Sequence, residues 1–187
     1  MKKIMFNDKY GLTDAVLDCR KIMTRRIVTF NSPVSTYKIG EEVAIAQKYR
    51  DLCNCDAFYD AVHKADPTLP LECIKDEKGC DNKMFVKAEF MPHRIRIVDV
   101  KTERLQDISE DDVLKEGFEW QYINNGFENA VRHWEVCLNY FDPRGRFKVI
   151  RSREPRAAFA FLINKLMGRG TWESNPWVFA YEFRLLR

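Results

Sequence analysis

Five hydrogen-bonding side chains lie within the seven residues 20–26, which read Arg-Lys-Ile-Met-Thr-Arg-Arg. The segment directly follows a predicted amphipathic helix over residues 10–19, where apolar residues recur at helical spacing. Basic side chains at the carboxyl end of a helix are favoured by its dipole, so the segment fits an exposed helix end. The same side chains fit a site that contacts phosphates or nucleobases. The sequence leaves both interpretations open.

Glu116 is the second candidate for a functional side chain. Ser109 predicts a helix N-cap, acids follow in the first turn, and the helix is expected to stop at Gly117. A carboxylate in the last turn opposes the helix dipole, so Glu116 is slightly unfavourable at its position. Residues that are locally unfavourable in this way often have a function, although exposed glutamates at helix ends are also common.

Aromatic and basic residues near the carboxyl end supply further candidates. Trp172 and Trp177 flank a loop that contains Asn175, and their rings could stack on a base. The alternative is that Trp177 simply begins an aromatic-rich core strand. A basic cluster precedes them, consisting of Arg144, Arg146, Lys148, Arg151, Arg153 and Arg156. Such a cluster is typical of a solvated surface, and it is also the best candidate for a stripe that contacts a phosphate backbone.

Several function classes are disfavoured because their motifs are missing from the sequence. There is no P-loop, no Gly-x-Gly-x-x-Gly and no Gly-x-Ser-x-Gly. This disfavours nucleoside triphosphatases, dinucleotide oxidoreductases and α/β-hydrolases. The histidines at 63, 93 and 133 lie in different segments, without partners at metal-ligand spacing. We therefore expect no metal and no cofactor at the site.

Four of the six cysteines, namely Cys53, Cys55, Cys73 and Cys80, lie in one acidic segment. Four thiolates can hold zinc, but zinc sites usually place two residues between paired cysteines, and here there is one. A disulfide framework is disfavoured because the sequence has no secretory context. We expect reduced cysteines that act as small apolar side chains, with zinc as the alternative.

Composition and charge predict one folded domain over residues 1–187. The chain is 45% hydrophobic and 13% aromatic, and its net charge is +3. Residues 51–82 carry a net charge of −5, which leaves +8 on the rest, a distribution compatible with nucleic-acid contact. No run of about 18 apolar residues could span a membrane, and polar residues 7–9 interrupt the first apolar stretch. We expect a soluble, cytoplasmic protein with no membrane partner.

The hydrophobic pattern predicts a mixed order of strands and helices. Strands are expected at 4–6, 24–29, 43–46, 94–100 and 177–186, and helices at 10–19, 109–116 and 155–167. Two less regular segments, about 48–83 and 118–153, are interpreted as insertions. Helices are expected around 55–64 in the first and near 127–140 in the second. This order fits an α+β fold, mainly β, built as a small closed or nearly closed barrel with peripheral helices.

Several short motifs occur in one order along the chain. They are Arg20-Lys21-x-x-Thr24-Arg25-Arg26, Gly40-Glu41, Arg94-Ile95-Arg96-Ile97-Val98-Asp99-Val100, Glu103-Arg104-Leu105-Gln106-Asp107-Ile108-Ser109, Glu116-Gly117-Phe118 and Asn175-Pro176-Trp177-Val178. This combination resembles the ASCH domain of the PUA-like superfamily, in particular its longer bacterial and phage members. The likeness covers about residues 3–47, 84–118 and 155–186. It implies a β-barrel of five to six strands, with a cleft between barrel and helix.

The resemblance also implies a function for that cleft. Relatives bind RNA or modified nucleobases there, and one small branch is an amidohydrolase that removes the acetyl group from N4-acetylcytidine. That branch uses a lysine, a threonine three residues later and a glutamate at the end of the short helix, which match Lys21, Thr24 and Glu116. The implied roles are base for Lys21, nucleophile for Thr24, and acid or water-orienting group for Glu116.

Three functions stay open on the sequence. The first is binding of RNA, a nucleotide or a modified nucleobase in a cationic cleft, which Arg25 and Arg26 favour because a guanidinium can hold a phosphate. The second is the amidohydrolase, and the third is a phage or mobile-element accessory protein whose insertions bind another protein. The ligand-binding side chains expected beside the three catalytic candidates are Arg20, Arg25, Arg26, Arg94, Arg96, Trp172 and Trp177.

Overall fold

The computed structural model describes residues 1–29, 34–69, 74, 76–123, 133–142 and 144–186. The strands are β1 (Lys2–Ile4), β2 (Met23–Ile27), β3 (Glu42–Ile45), β4 (Arg94–Arg104), β5 (Glu119–Ile123), β6 (His133–Phe141), β7 (Phe147–Ser152) and β8 (Trp177–Leu186). The α-helices are α1 (Leu12–Leu17), α2 (Tyr49–Leu52), α3 (Asp56–Ala65), α4 (Glu110–Lys115), α5 (Pro155–Met167) and α6 (Thr171–Ser174). Short 3-10 turns lie at Asp8–Tyr10, Ala88–Phe90 and Leu105–Asp107.

Two sheets organise the described residues. The larger has the strand order β1-β3-β4-β8-β2, in which β1 and β3 run parallel and the other pairs are antiparallel. The smaller is antiparallel, in the order β5-β6-β7. The predicted class, α+β with mainly sheet, is confirmed. Among the described residues, the strand pairings do not close the larger sheet into a barrel.

The larger sheet curls so that its two edge strands approach each other. Arg26 on β2 donates a hydrogen bond from Nη2 to the carbonyl oxygen of Met5, just beyond β1, at 2.5 Å. The strand pair at the centre of this sheet, β4 and β8, has a register shift between Ile97 and Asp99. Such a bulge increases local twist, which helps a sheet to curl. The gap between the two edges is where the candidate site lies.

Two hydrophobic cores among the described residues support these sheets. The main core joins the larger sheet to α5 and to the inner face of the smaller sheet, through residues such as Ile97, Phe159 and Leu138. The second core joins the first predicted insertion, around Tyr49 and Phe58, to flanking residues such as Ala46 and Phe90. The helix expected around 55–64 is present there as α3, over Asp56–Ala65. No helix in the described part of the chain is long and apolar enough to cross a membrane.

The helix predicted near 127–140 is wrong over 133–140, where the chain forms β6. The remainder of that prediction, 127–132, lies outside the described residues. Val136 and Leu138 are both buried in the main core at the two-residue spacing of a strand. Backbone pairing with β5 and β7, together with this burial, outweighs any local helix preference.

Candidate functional site

The two segments that carry the candidate catalytic residues lie side by side. Lys21 forms an antiparallel β-bridge with Glu116, and the amide of Ile22 donates to the carbonyl oxygen of Lys115 at 2.8 Å. The predicted N-cap at the start of α4 is confirmed, because the Ser109 hydroxyl accepts a hydrogen bond from the Asp112 amide at 3.1 Å. Asp112 and Glu116 are four residues apart, so both face β2.

Lys21 and Glu116 form a buried ion pair. The Lys21 side chain is only 2% exposed and that of Glu116 5%. The Lys21 ammonium donates to Oε2 of Glu116, and to the Glu116 carbonyl oxygen at 3.2 Å. Burial lowers the pKa of Lys21, and the nearby guanidinium groups of Arg26 and Arg25 act in the same direction, although Glu116 opposes them. The geometry therefore gives a lysine that loses its proton more readily than a solvated one.

Arg25 holds the carboxylates of this site together. Its guanidinium donates to Oε1 of Glu103 at 2.7 Å, to Oδ2 of Asp112 at 3.0 Å and to Oε1 of Glu116 at 3.0 Å. Its side chain is fully buried. Burial opposes the positive charge, but Glu116 and Glu103 outweigh it, so the pKa of Arg25 is raised. With one oxygen on Lys21 and the other on Arg25, the Glu116 carboxylate has a defined orientation.

Asp112 is a further member of this network. Burial alone would raise its pKa, but the hydrogen bond from Lys101 at 2.8 Å and the charge of Arg25 hold the pKa below its usual value. Asp112 therefore stays ionised at neutral pH. Its contribution to stability is present above the unfolded pKa of about 4 and is lost as the pH falls through the lower folded value.

Thr24 lines the same cleft. The residue is 6% exposed and lies on β2, next to Arg25. Within the described part of the chain, the Thr24 hydroxyl makes no hydrogen bond. It is therefore available to a bound ligand.

Gly117 permits the close approach of the two segments. Its φ is +104°, and a Cβ placed there would lie 3.3 Å from Cβ of Lys21.

We expect Gly117→Ala to lower the free energy of unfolding by about 2–3 kcal/mol, because both the backbone at Gly117 and the contact of the added Cβ with Lys21 would be strained. Urea denaturation measures this loss. Gly145→Ala is the control, because Gly145 also has a positive φ but no atom within 4 Å of the added Cβ, so about 1 kcal/mol is expected. Equal losses for the two variants would contradict the importance of the Lys21 contact.

These side chains form the floor of a cleft of about 510 Å³. Lys21, Thr24, Arg25 and Glu116 line it together. One wall is apolar and comes from α5, through Phe159, Leu162, Ile163, Leu166 and Met167. The rim is basic and consists of Lys9, Arg26, Lys48 and Lys83, with Asp8 as its one acidic member among the described lining residues. Lys83 is paired with Asp8 at 2.7 Å.

The other predicted binding arginines lie elsewhere. Arg20 pairs with Asp18 at 3.1 Å and lines a separate cavity together with Asp14 and Phe141. Arg96 pairs with Glu42 across β3 and β4 at 2.5 Å. Arg94 stands on the same strand, and neither it nor Arg96 lines the cleft.

The two tryptophans also lie outside the cleft lining. Trp172 packs edge-on against Phe159, with ring centroids 6.2 Å apart, on the core side of α6. Trp177 is 48% exposed, and the Arg104 guanidinium lies 4.5 Å from its ring centroid. The predicted stacking surface is therefore not part of this cleft.

Several residues that matter to the site were not predicted from the sequence. Asp112 has a signal, because it precedes Glu116 by one helical turn. Glu103 and Lys101 reach the site from the end of β4, and nothing in their local sequence indicates this. The basic residues Lys48 and Lys83 come from the two ends of the first predicted insertion.

No metal centre is found in the described residues: no group of three or more His, Cys, Asp or Glu side chains there is arranged to hold an ion. Cys73, one of the four cysteines of the zinc alternative, lies outside the described residues. Cys53, Cys55 and Cys80 are present as free thiols.

Comparison with known proteins adds no relative. No family model, no curated protein and no solved structure matches the chain. The resemblance to the ASCH domain therefore depends on the motifs quoted above.

Proposed function

We propose that the cleft binds a nucleotide whose base carries a modification. The observation that carries this proposal is one cavity with an apolar wall, a polar buried floor and a basic rim. Its volume of about 510 Å³ lies within the range of small-molecule sites. An apolar wall suits the face of a base, and basic side chains suit a phosphate.

The arrangement also suggests how the ligand is oriented. The floor offers the Thr24 hydroxyl and the Lys21–Glu116 pair to the polar edge of the base. Lys48 and Arg26 lie on the rim, where the phosphate would stand. The positive charge available to a ligand is that of the rim, because Arg25 is already engaged by three carboxylates.

We further propose that the curled larger sheet is an ASCH-type, PUA-like barrel that opens at the cleft. The Arg26 to Met5 hydrogen bond supports this, since it joins the two edges of the sheet at one point. Side chains from both edges line the cleft, including Met5 and Thr24. A cleft between barrel and helix, here α5, is the arrangement that the ASCH resemblance implies.

Amide hydrolysis is the second candidate, favoured by the convergence of Lys21, Thr24 and Glu116. Neutral Lys21 would take the proton of the Thr24 hydroxyl, whose oxygen then attacks the acyl carbon. The bond from that carbon to the exocyclic nitrogen breaks. The proton returns through the Lys21–Glu116 pair to the departing amine. Water then hydrolyses the threonine ester, releasing the carboxylic acid and restoring the hydroxyl.

The two candidates are tested with N4-acetylcytidine, its 5′-monophosphate and cytidine 5′-monophosphate. Binding is measured by calorimetry, and loss of the acetyl group by chromatography. Binding without turnover supports the first candidate alone, and turnover supports both. Absence of binding for all three compounds would contradict both.

The position of the phosphate yields a separate prediction. We expect Lys48→Gln to weaken binding of the 5′-monophosphate about fivefold, since a partly exposed ion pair contributes about 1 kcal/mol. Binding of the unphosphorylated nucleoside should not change. Lys64→Gln is the matched control, because Lys64 is exposed on α3 and does not line the cleft. Equal weakening of both ligands by Lys48→Gln would contradict the assignment of the rim to the phosphate.

A further inference from the structure

A second cavity of about 400 Å³ adjoins the cleft, and Lys9 lines both. It is bounded by the turn Asp8–Tyr10, the β6–β7 hairpin and α5. The β6–β7 hairpin belongs to the second predicted insertion, which the ASCH resemblance does not cover. We call this second cavity the side groove.

The side groove is basic. Lys9, Lys148 and Lys165 line it, and Asp142 is the acidic residue among its described lining. Asp142 is already engaged, because Arg146 donates to its Oδ2 at 2.8 Å and the amide of Arg144 donates to Oδ1 at 2.9 Å. In the described part of the chain, none of the three lysines has a carboxylate within 4.0 Å. The side groove therefore keeps positive charge for a ligand.

Aromatic rings accompany these lysines. Phe161 on α5 is 53% exposed, and Nζ of Lys165 lies 5.2 Å from its ring centroid. Tyr10, which is buried, and Tyr140, which is half-buried, lie with ring centroids 5.5 Å apart in the wall of the groove, so Phe161 is the ring most open to a base. Positive charges beside an exposed ring are features by which proteins bind single-stranded nucleic acid, through phosphate contacts and base stacking. An acidic protein segment would use the charges but would gain less from the rings.

We propose that the side groove binds a single-stranded nucleic acid, whose phosphodiester backbone runs from the cleft past Lys9 to Lys148 and Lys165. This extends the proposed function, since the base in the cleft would then belong to an oligonucleotide rather than to a free nucleotide.

The test uses the whole chain and fluorescence anisotropy with unmodified ten-nucleotide RNA and DNA of one sequence. The variant is Lys148→Gln with Lys165→Gln, both exposed residues. We expect it to bind about 20-fold more weakly at 0.1 M salt, and its plot of log affinity against log salt to be less steep by about 1.4, since two phosphate contacts are lost. The RNA and DNA arms show whether the sugar matters.

The matched control is Lys64→Gln with Lys78→Gln, which removes the same charge from exposed positions in the first predicted insertion. Its affinity should change little. Equal losses in the two double variants, or wild-type binding that does not depend on salt, would overturn the proposal. Calorimetry with cytidine 5′-monophosphate separates this outcome from failure of the cleft proposal, because the groove variant should bind the mononucleotide as the wild type does. Binding of an acidic peptide as tightly as the oligonucleotide would also overturn it.

Discussion

Replacement of Arg25 by alanine is expected to lower the free energy of unfolding by about 3–5 kcal/mol, because it leaves buried carboxylates without their shared cation. Glu103, Asp112 and Glu116 all accept hydrogen bonds from this one guanidinium. Lys21 still pairs with Glu116 and Lys101 with Asp112. Glu103 has no other ion pair within the described part of the chain, so it is the carboxylate that loses its counter-charge completely. Urea denaturation at neutral pH measures the loss.

The matched control for this substitution is Arg96→Ala. Arg96 also pairs with a glutamate, Glu42, but both side chains are more than one third exposed. Such a surface pair contributes less than about 1 kcal/mol. If Arg25→Ala lowers the free energy of unfolding no more than Arg96→Ala does, Arg25 does not organise the site.

The Arg25→Ala variant should recover part of its lost stability at low pH, because protonation neutralises the carboxylates that Arg25 no longer contacts.

Replacement of Lys21 by methionine is expected to lower the rate of any deacetylation by about 10²–10⁴-fold, the range for loss of a general base. Methionine keeps the apolar stem of the side chain and removes the amine. In the wild type, the rate should rise with pH as Lys21 loses its proton, with an apparent pKa below the ordinary 10.5 of lysine, since burial lowers that pKa. In the variant this dependence should be absent. Initial rates with N4-acetylcytidine across pH measure both effects.

Two further variants make this result specific. Lys115→Met removes a lysine at the end of α4, where Lys115 pairs with Glu182 at 2.9 Å and only distantly with Asp112, at 3.9 Å. Because Lys115 does not line the cleft, the rate of this variant should stay close to the wild type. Thr24→Val should lose as much activity as Lys21→Met, because both steps of the reaction pass through the hydroxyl. A Lys21→Met variant that is folded and fully active would exclude Lys21 as the base.

The same pKa shift has a consequence for stability. The folded chain releases the Lys21 proton at a lower pH than the unfolded chain does. The unfolded state therefore binds more protons between the folded pKa and about 10.4, so the wild type gains stability over Lys21→Met as the pH rises through this range. This trend needs no substrate, so it tests the environment of Lys21 independently of catalysis.

Several elements follow from local sequence alone. The alternation from Trp177 to Leu186 predicts β8, and Pro155 with the apolar spacing after it predicts α5. Ser109 with its acidic neighbours predicts the start of α4. The predictions of these elements succeed because backbone sterics, capping and side-chain periodicity act over a few residues. The β6 strand was missed because its apolar run fits either structure until its partners are known.

Local sequence is enough to name Lys21, Thr24 and Glu116 as candidate site residues and to predict most of the helices and strands near them. The folded chain is needed to show that Lys21 and Glu116, which are 95 residues apart, meet in a buried ion pair. It also shows that Arg25 serves as an internal counterion, whereas Arg26 stays at the rim, although the two are neighbours in sequence. The physical reason is that the energy of a charge depends on its burial and on partners from distant segments, and neither is encoded in local spacing.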